Sequence, residues 1–188
     1  LGLLLGFGTA FLLNTLDKRV RHEDEVESGL GIPLLARLPR YGRRTSDRPE
    51  LVMLKEPTHI AAESVRRLRT NLELAAMTVQ AKTVMVTSAA PREGKSTTIS
   101  NLAVALARSG HDVVLVDLDL RKPIVSKIFN LDGRLGVTDA VLRRSRLDDA
   151  LTPIHLTAPR ARGLASAPLG TLRVLPAGPL PSDPGEFV

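Results

Sequence analysis

Residues 87–103 read TSAAPREGKSTTISNLA, and this stretch decides the fold. It lies between two apolar runs. Before it, TVMVTS at 83–88 is short and β-branched, which predicts a buried strand. After it, STTISNLAVALARSG at 96–110 repeats Ile99, Leu102, Ala103 and Leu106 on one helical face. Gly110 is placed to end that helix. Downstream, DVVLVD at 112–117 predicts a second buried strand. Strand, helix and strand at this spacing form a βαβ unit, and that predicts an α/β fold with a parallel sheet and flanking helices.

A turn that leads from a strand into a helix gathers backbone N–H groups and the positive helix end on one anion. Gly94, Lys95 and Ser96 stand at such a turn. Lys95 can reach the β and γ phosphates of a nucleotide, and Ser96 or Thr97 can offer a hydroxyl to Mg²⁺ or phosphate. The usual GxxxxGK[ST] pattern starts with glycine, but here Ala89 holds that place. The change matters only if the position needs a positive φ.

The second strand ends VVLVDLDLRKP at 113–123. Asp117 and Asp119 alternate at its C-terminal end, where ligands sit on an open parallel sheet. Their spacing of two turns both to one side if the strand continues that far. One carboxylate suits a metal shell. The other can orient or deprotonate an attacking hydroxyl. Arg121 would add charge beside the phosphates. Capping of the next helix by these acids is the plainer alternative.

Composition narrows the rest. With 188 residues, there is room for one domain and an appendage. Hydrophobic residues make up 43% and aromatics 3%, so the core rests on Val, Leu, Ile and Ala. The net charge of +6 suits anionic partners. Without interleaved aromatics there is no stacking platform, and no nucleic acid is expected as a partner. The absence of cysteine excludes disulfides, thiolate zinc sites and Cys nucleophiles. His22, His59, His111 and His155 are scattered without metal spacing and suit surface or boundary positions.

The segment at 1–16, LGLLLGFGTAFLLNTL, carries no charge, and Lys18, Arg19 and Arg21 follow it. We read it as the end of a transmembrane helix in the cell membrane, with residues after about 17 cytoplasmic. A buried soluble helix is the alternative. Gly2, Gly6 and Ala10 recur at a spacing that lets helices approach. Residues 17–57 mix both charges with four prolines, which predicts a juxtamembrane linker with one short strand at 34–38. Thr58 is expected to cap a helix running to about residue 76, with Ile60, Val65, Leu68 and Leu72 buried. Within it Glu63 can pair with Arg66 or Arg67. GVTDAVL and LDDAL read as short helices, and TLRVLPAG as a further strand.

SAAPREGKSTTISNLAVALA and VVLVDLDLRKPIVSKIF together resemble the bacterial tyrosine kinases, P-loop NTPases related in fold to the partition ATPases. The resemblance implies a kinase domain over 58–188, incomplete at its C-terminal side, that uses ATP and Mg²⁺. It places Pro91, Glu93, Gly94, Lys95, Ser96 and Thr97 in the first phosphate motif, with Arg121 close by. Lys95, Asp117 and Asp119 become the catalytic set. Asp117 would activate the tyrosine hydroxyl, and Ser96 and Asp119 would serve Mg²⁺. AAESVRRLRTNLEL is similar to the helix, here carrying Glu63, Arg66 and Arg69, that joins subunits in a ring. Such kinases are membrane-anchored autokinases that influence capsule or exopolysaccharide chain length. Their partners are the polymerisation and export machinery.

The chain also departs from the family pattern. Arg92 stands where the loop usually has glycine. The third phosphate motif and the tyrosine-rich tail are not found, and Tyr41 is the only tyrosine. The chain starts at Leu1 and reads as a piece of a longer protein, expected to be weak or inactive alone. The alternatives are a partition-type surface ATPase and a non-catalytic regulator of polysaccharide chain length.

Overall fold

A computed structural model of the chain describes residues 2–16, 29, 31–39, 51–157 and 169–180. The chain divides into two compact units, residues 1–35 and 36–188.

In the first unit, α1 (Gly2–Leu16) is a helix of 15 residues. At 1.5 Å per residue it is about 22 Å long, against a hydrocarbon core of about 30 Å. Among the described residues no helix is long and apolar enough to cross a membrane. Leu3, Phe7, Phe11 and Leu12 are exposed on α1. The strand expected at 34–38 does not form, since residues 33–39 carry no regular structure. Pro33 and Pro39 bracket it, and proline supplies no N–H to a ladder. Most of the expected linker, Tyr41 included, lies outside the described residues.

The second unit contains α2 (Val52–Lys55), α3 (Ile60–Val79), α4 (Lys95–Arg108), β1 (Val113–Val116), α5 (Val125–Phe129), α6 (Val137–Val141), α7 (Leu147–Ala150), β2 (Thr152–Ile154) and β3 (Leu172–Leu175). The strands form one sheet in the order β1-β3-β2. β1 and β3 are parallel, with Leu115 opposite Val174. β2 is antiparallel to β3, with Thr152 opposite Val174. The sheet is therefore mixed rather than wholly parallel. β2 was not expected from sequence. Pro153 lacks a ladder donor, which suits the edge place that β2 takes.

The run at 83–88 is not a strand. Its apolar residues suit a sheet, but a strand exists only where neighbours complete its backbone hydrogen bonds. No described segment does so here, and Met85 is 85% exposed. The expected βαβ unit is thus not closed at 83–88, and the parallel pair is β1 with β3 instead. β1 is also buried on one face alone, with Leu115 inside and Val114 and Val116 exposed.

α4 forms as its pattern predicts, although its buried face is wider and runs through Ser100, Asn101, Leu102, Ala103, Val104, Ala105 and Ala107. The alanines let α4 lie close along β1, and the core gathers there around Val104, Leu115, Leu172 and Val174. The helix ends with paired bonds from Gly110 N to Ala107 O at 3.2 Å and from His111 N to Leu106 O at 3.2 Å. Gly110 takes the left-handed φ of 99° that this ending requires.

α2 corrects the linker boundary. Leu51, Val52 and Met53 are buried in the core. Met53 N donates to Asn101 Oδ1 at 3.0 Å, and Arg108 donates to Met53 O. The globular unit therefore includes residues before Thr58. The cap of α3 is His59, whose Nδ1 accepts from Ala61 N at 3.0 Å, rather than Thr58. α3 buries Ala61, Ala62 and Val65, whereas Ile60 is 73% exposed and does not join the core.

Candidate functional site

The turn before α4 owes its shape to three residues. Arg92 has φ +65° and Gly94 φ +90°, while Glu93 and Ala89 are not in the positive-φ region. Loss of the first glycine, at Ala89, is therefore harmless to the backbone. The strained position is Arg92, where a left-handed non-glycine residue costs about 1–2 kcal/mol. Alternating φ signs over 92–94 turn successive N–H groups inward, the geometry of an anion nest. The loop is braced from inside. Ala90 N donates to Glu93 Oε2 at 3.1 Å, and Ser88 Oγ donates to Ala90 O at 2.8 Å.

Lys95 is the first residue of α4, and its Nζ donates to Ser88 Oγ at 3.1 Å. Gly94 offers no side chain to cap the helix. The first backbone bond from the helix start is Thr98 N to Gly94 O at 2.8 Å. The N–H groups of Lys95, Ser96 and Thr97 therefore have no protein acceptor among the described residues, as at any uncapped helix start. Open donors, a positive helix end and an adjacent cation make a phosphate cradle. Ser96 and Thr97 are half-buried in the first turn, whereas Pro91 and Glu93 lie exposed in the loop.

Chain lengths bring Asp117 to this end of α4. The helix has 14 residues, so it runs about 21 Å. After a short turn, residues 111–117 return about 20 Å along it as extended chain. α4 and β1 pack together, and Asp117 therefore stands near the level of the helix start. Asp117 N donates to Leu175 O at 3.0 Å, which ties the end of β1 to that of β3.

Asp117 is buried, 5% exposed as a residue. It accepts from Asp119 N at 3.1 Å and from Val125 N, at the start of α5, at 3.1 Å. The capping alternative is thus part of what Asp117 does. Burial pushes its carboxyl up, and the backbone donors offset part of that rise. Asp119 is exposed, and its Oδ1 accepts from Lys122 N at 2.9 Å. Arg121 is exposed as well. No ion pair joins Lys95 to either aspartate among the described residues, and no group of three or more His, Asp or Glu is placed to hold a metal there.

Glu63, Arg66 and Arg69 lie on α3, apart from the loop in the fold. Arg66 pairs with Glu63 at 2.8 Å and donates to Pro57 O. Arg69 meets Glu73 at 3.6 Å, and Glu73 also meets His111 at 3.1 Å.

Two partners of the site escaped the sequence reading. Ser88 was legible as the last hydroxyl before the loop. The Leu175 carbonyl was not, because a backbone acceptor leaves no trace in residue type.

The CobQ/CobB/MinD/ParA nucleotide binding domain matches residues 84–165, which hold the loop, α4, β1 and both aspartates. The tyrosine-protein kinase YwqD of Bacillus subtilis is 37% identical over 149 residues, covering 79% of this chain and 57% of its own length. Among solved structures, the chimerical protein CapA2B2 aligns with TM-score 0.65 and 32% identity over 88% of this chain and 64% of that one. The BceF tyrosine kinase domain aligns with TM-score 0.69 and 26% identity over 89% of this chain and 66% of its own. The chain spans little more than half the length of the Bacillus relative.

Proposed function

We propose that the chain is a member of the bacterial tyrosine kinase family and that its loop binds MgATP for phosphoryl transfer to tyrosine in the control of capsule or exopolysaccharide production. The observation that carries this reading is the open start of α4. Three N–H groups without acceptors among the described residues open the helix whose first residue is Lys95, behind a loop whose φ signs alternate.

In this reading the γ-phosphorus gains a bond to the tyrosine oxygen and loses its bond to the β–γ bridging oxygen. ADP leaves, and the phenol proton passes to a base. Asp117 suits the base, since burial raises its proton affinity toward the working range. Its double anchoring to Asp119 N and Val125 N holds it still. Lys95 and the α4 dipole offset the charge on the phosphates.

Mg²⁺ takes oxygen ligands and keeps several waters. The Ser96 hydroxyl and the Asp119 carboxylate are donors of that kind, and nucleotide phosphates and water would complete the shell. When bound, the ion would neutralise charge on the phosphates.

Self-association through the face of α3 that carries Glu63, Arg66 and Arg69 belongs to the same proposal, as does work beside the polysaccharide export machinery. So does a membrane location with residues after about 17 in the cytoplasm. A charge-free α1 with exposed Leu3, Phe7 and Phe11 supports that location.

The test is phosphotyrosine formation from ATP on an added tyrosine peptide, since the chain has a single tyrosine of its own. Transfer that disappears in Lys95→Ala and Asp117→Asn supports the reading. Phosphate release at equal rates with and without peptide would favour a surface ATPase instead.

A further inference from the structure

The geometry points to Arg92 as a further nucleotide-binding residue, a second cation beside Lys95 that favours the more highly charged nucleotide. This rests on the reading of the loop as a nucleotide site. Arg92 occupies the first left-handed position of the nest, and its backbone is therefore part of the cradle. Any residue there must accept φ +65°, which glycine does without strain. An arginine accepts it against a steric preference and brings a permanent charge to the rim of the cradle.

That charge is not engaged among the described residues. Arg92 is exposed and makes no hydrogen bond or ion pair with other described residues. Glu93, its neighbour, is committed to Ala90 N and braces the loop. Lys95 leans back to Ser88. The guanidinium stem at Arg92 is long enough to reach an anion seated two residues away. A guanidinium matches phosphate oxygens bidentately, and its attraction grows with their charge. ATP carries one more negative charge than ADP, so the gain is expected to be larger for ATP.

The experiment measures binding of ATP and of ADP, each with Mg²⁺, at low and high salt. It compares the wild-type chain with Arg92→Gly, Arg92→Lys and Lys95→Ala. Arg92→Gly relieves the left-handed strain, so its melting temperature should not fall and the variant should fold. Its ATP affinity should drop about fivefold to tenfold and its ADP affinity less than about twofold, as expected for one charge-assisted contact. Arg92→Lys should recover part of the loss. The ATP-over-ADP preference of the wild type should shrink with salt, and that of Arg92→Gly should change little. An unchanged preference in Arg92→Gly, with binding lost in Lys95→Ala, overturns the role of Arg92 and leaves the nucleotide site standing. A wild-type chain that binds neither nucleotide overturns both.

Discussion

Lys95 Nζ donates to Ser88 Oγ at 3.1 Å, so the loop cation is tethered across the turn to the residue that precedes it. In the proposed reading, nucleotide binding would redirect the ammonium from a hydroxyl to a phosphate. The hydroxyl is a neutral acceptor and easily replaced, whereas the phosphate contact is between charges. Lys95→Ala should weaken ATP binding about 10- to 100-fold, and Ser88→Ala less than about threefold. Titration calorimetry on the two variants checks the order. A loss in Ser88→Ala equal to that in Lys95→Ala would mean that the tether itself holds the active geometry.

Gly94 and Gly136 should respond differently to alanine. At Gly94, with φ +90°, an added Cβ meets nothing within 4 Å, so the penalty is one of backbone conformation alone. That is about 1–2 kcal/mol, or a fall in Tm of about 2–8 °C in a protein of this size. At Gly136 a Cβ would lie 2.2 Å from both Gly178 N and Pro176 O. Those are backbone atoms of the segment just after β3, and they cannot move aside as a side chain could. Gly136→Ala should be the more damaging, by about 1–3 kcal/mol of overpacking or more. Thermal melts of both variants decide it.

Asp117 predicts a slope of stability with pH. Burial raises its folded pKa above the ordinary 3.8. The protonated group therefore contributes stability that is complete below the unfolded value and is lost as pH rises through the folded one. Asp117→Asn keeps the uncharged state at every pH. The stability of wild type relative to that variant should fall as pH climbs from about 3 toward neutrality, then level off. Paired urea titrations across that range measure it. A flat difference counts against a buried, raised carboxyl.

Asp112 predicts the opposite slope. Its Oδ1 accepts from Thr171 Oγ1 at 2.7 Å and from Thr171 N at 3.1 Å, joining the starts of β1 and β3. These bonds hold its carboxyl below the ordinary 3.8. The stabilisation is present above the unfolded value and disappears as pH falls through the folded one. Asp112→Asn should therefore be less stable than wild type near neutrality, with the deficit closing in acid. A deficit that persists unchanged in acid would assign the effect to lost geometry rather than to charge.

Much of the fold could be read before the structure. α4, α6 and α7 lie where periodicity and turn residues put them, because their bonds are close in sequence, and β1 and β3 form where their composition put them because each supplies the other's neighbour. The phosphate loop was legible for the same reason. The misreadings share a cause. The 83–88 run and the 34–38 run have strand composition, but a strand also needs a neighbour. Pro153 hid β2, since its edge position alone makes proline acceptable. Ile60 fits the helical period of α3, yet the buried face of the helix runs through Ala61, Ala62 and Val65 and leaves Ile60 exposed. Thr58 yielded the cap to His59, because an imidazole nitrogen can accept the same N–H.

The amino-acid sequence by itself determined the chemistry at hand. Gly94, Lys95 and Ser96 must begin a helix, Asp117 and Asp119 must follow a strand, and no thiol or aromatic platform competes with them. Helix start, turn and residue type are local properties, so composition and spacing suffice to state them. The tertiary structure decided which of these groups share a partner. It ties Asp117 to the end of β3 through Leu175, ties Lys95 to Ser88, and assigns the left-handed turn to Arg92 instead of Ala89. Backbone carbonyls, burial and φ angles are set by packing between distant segments, and no single stretch of sequence specifies them.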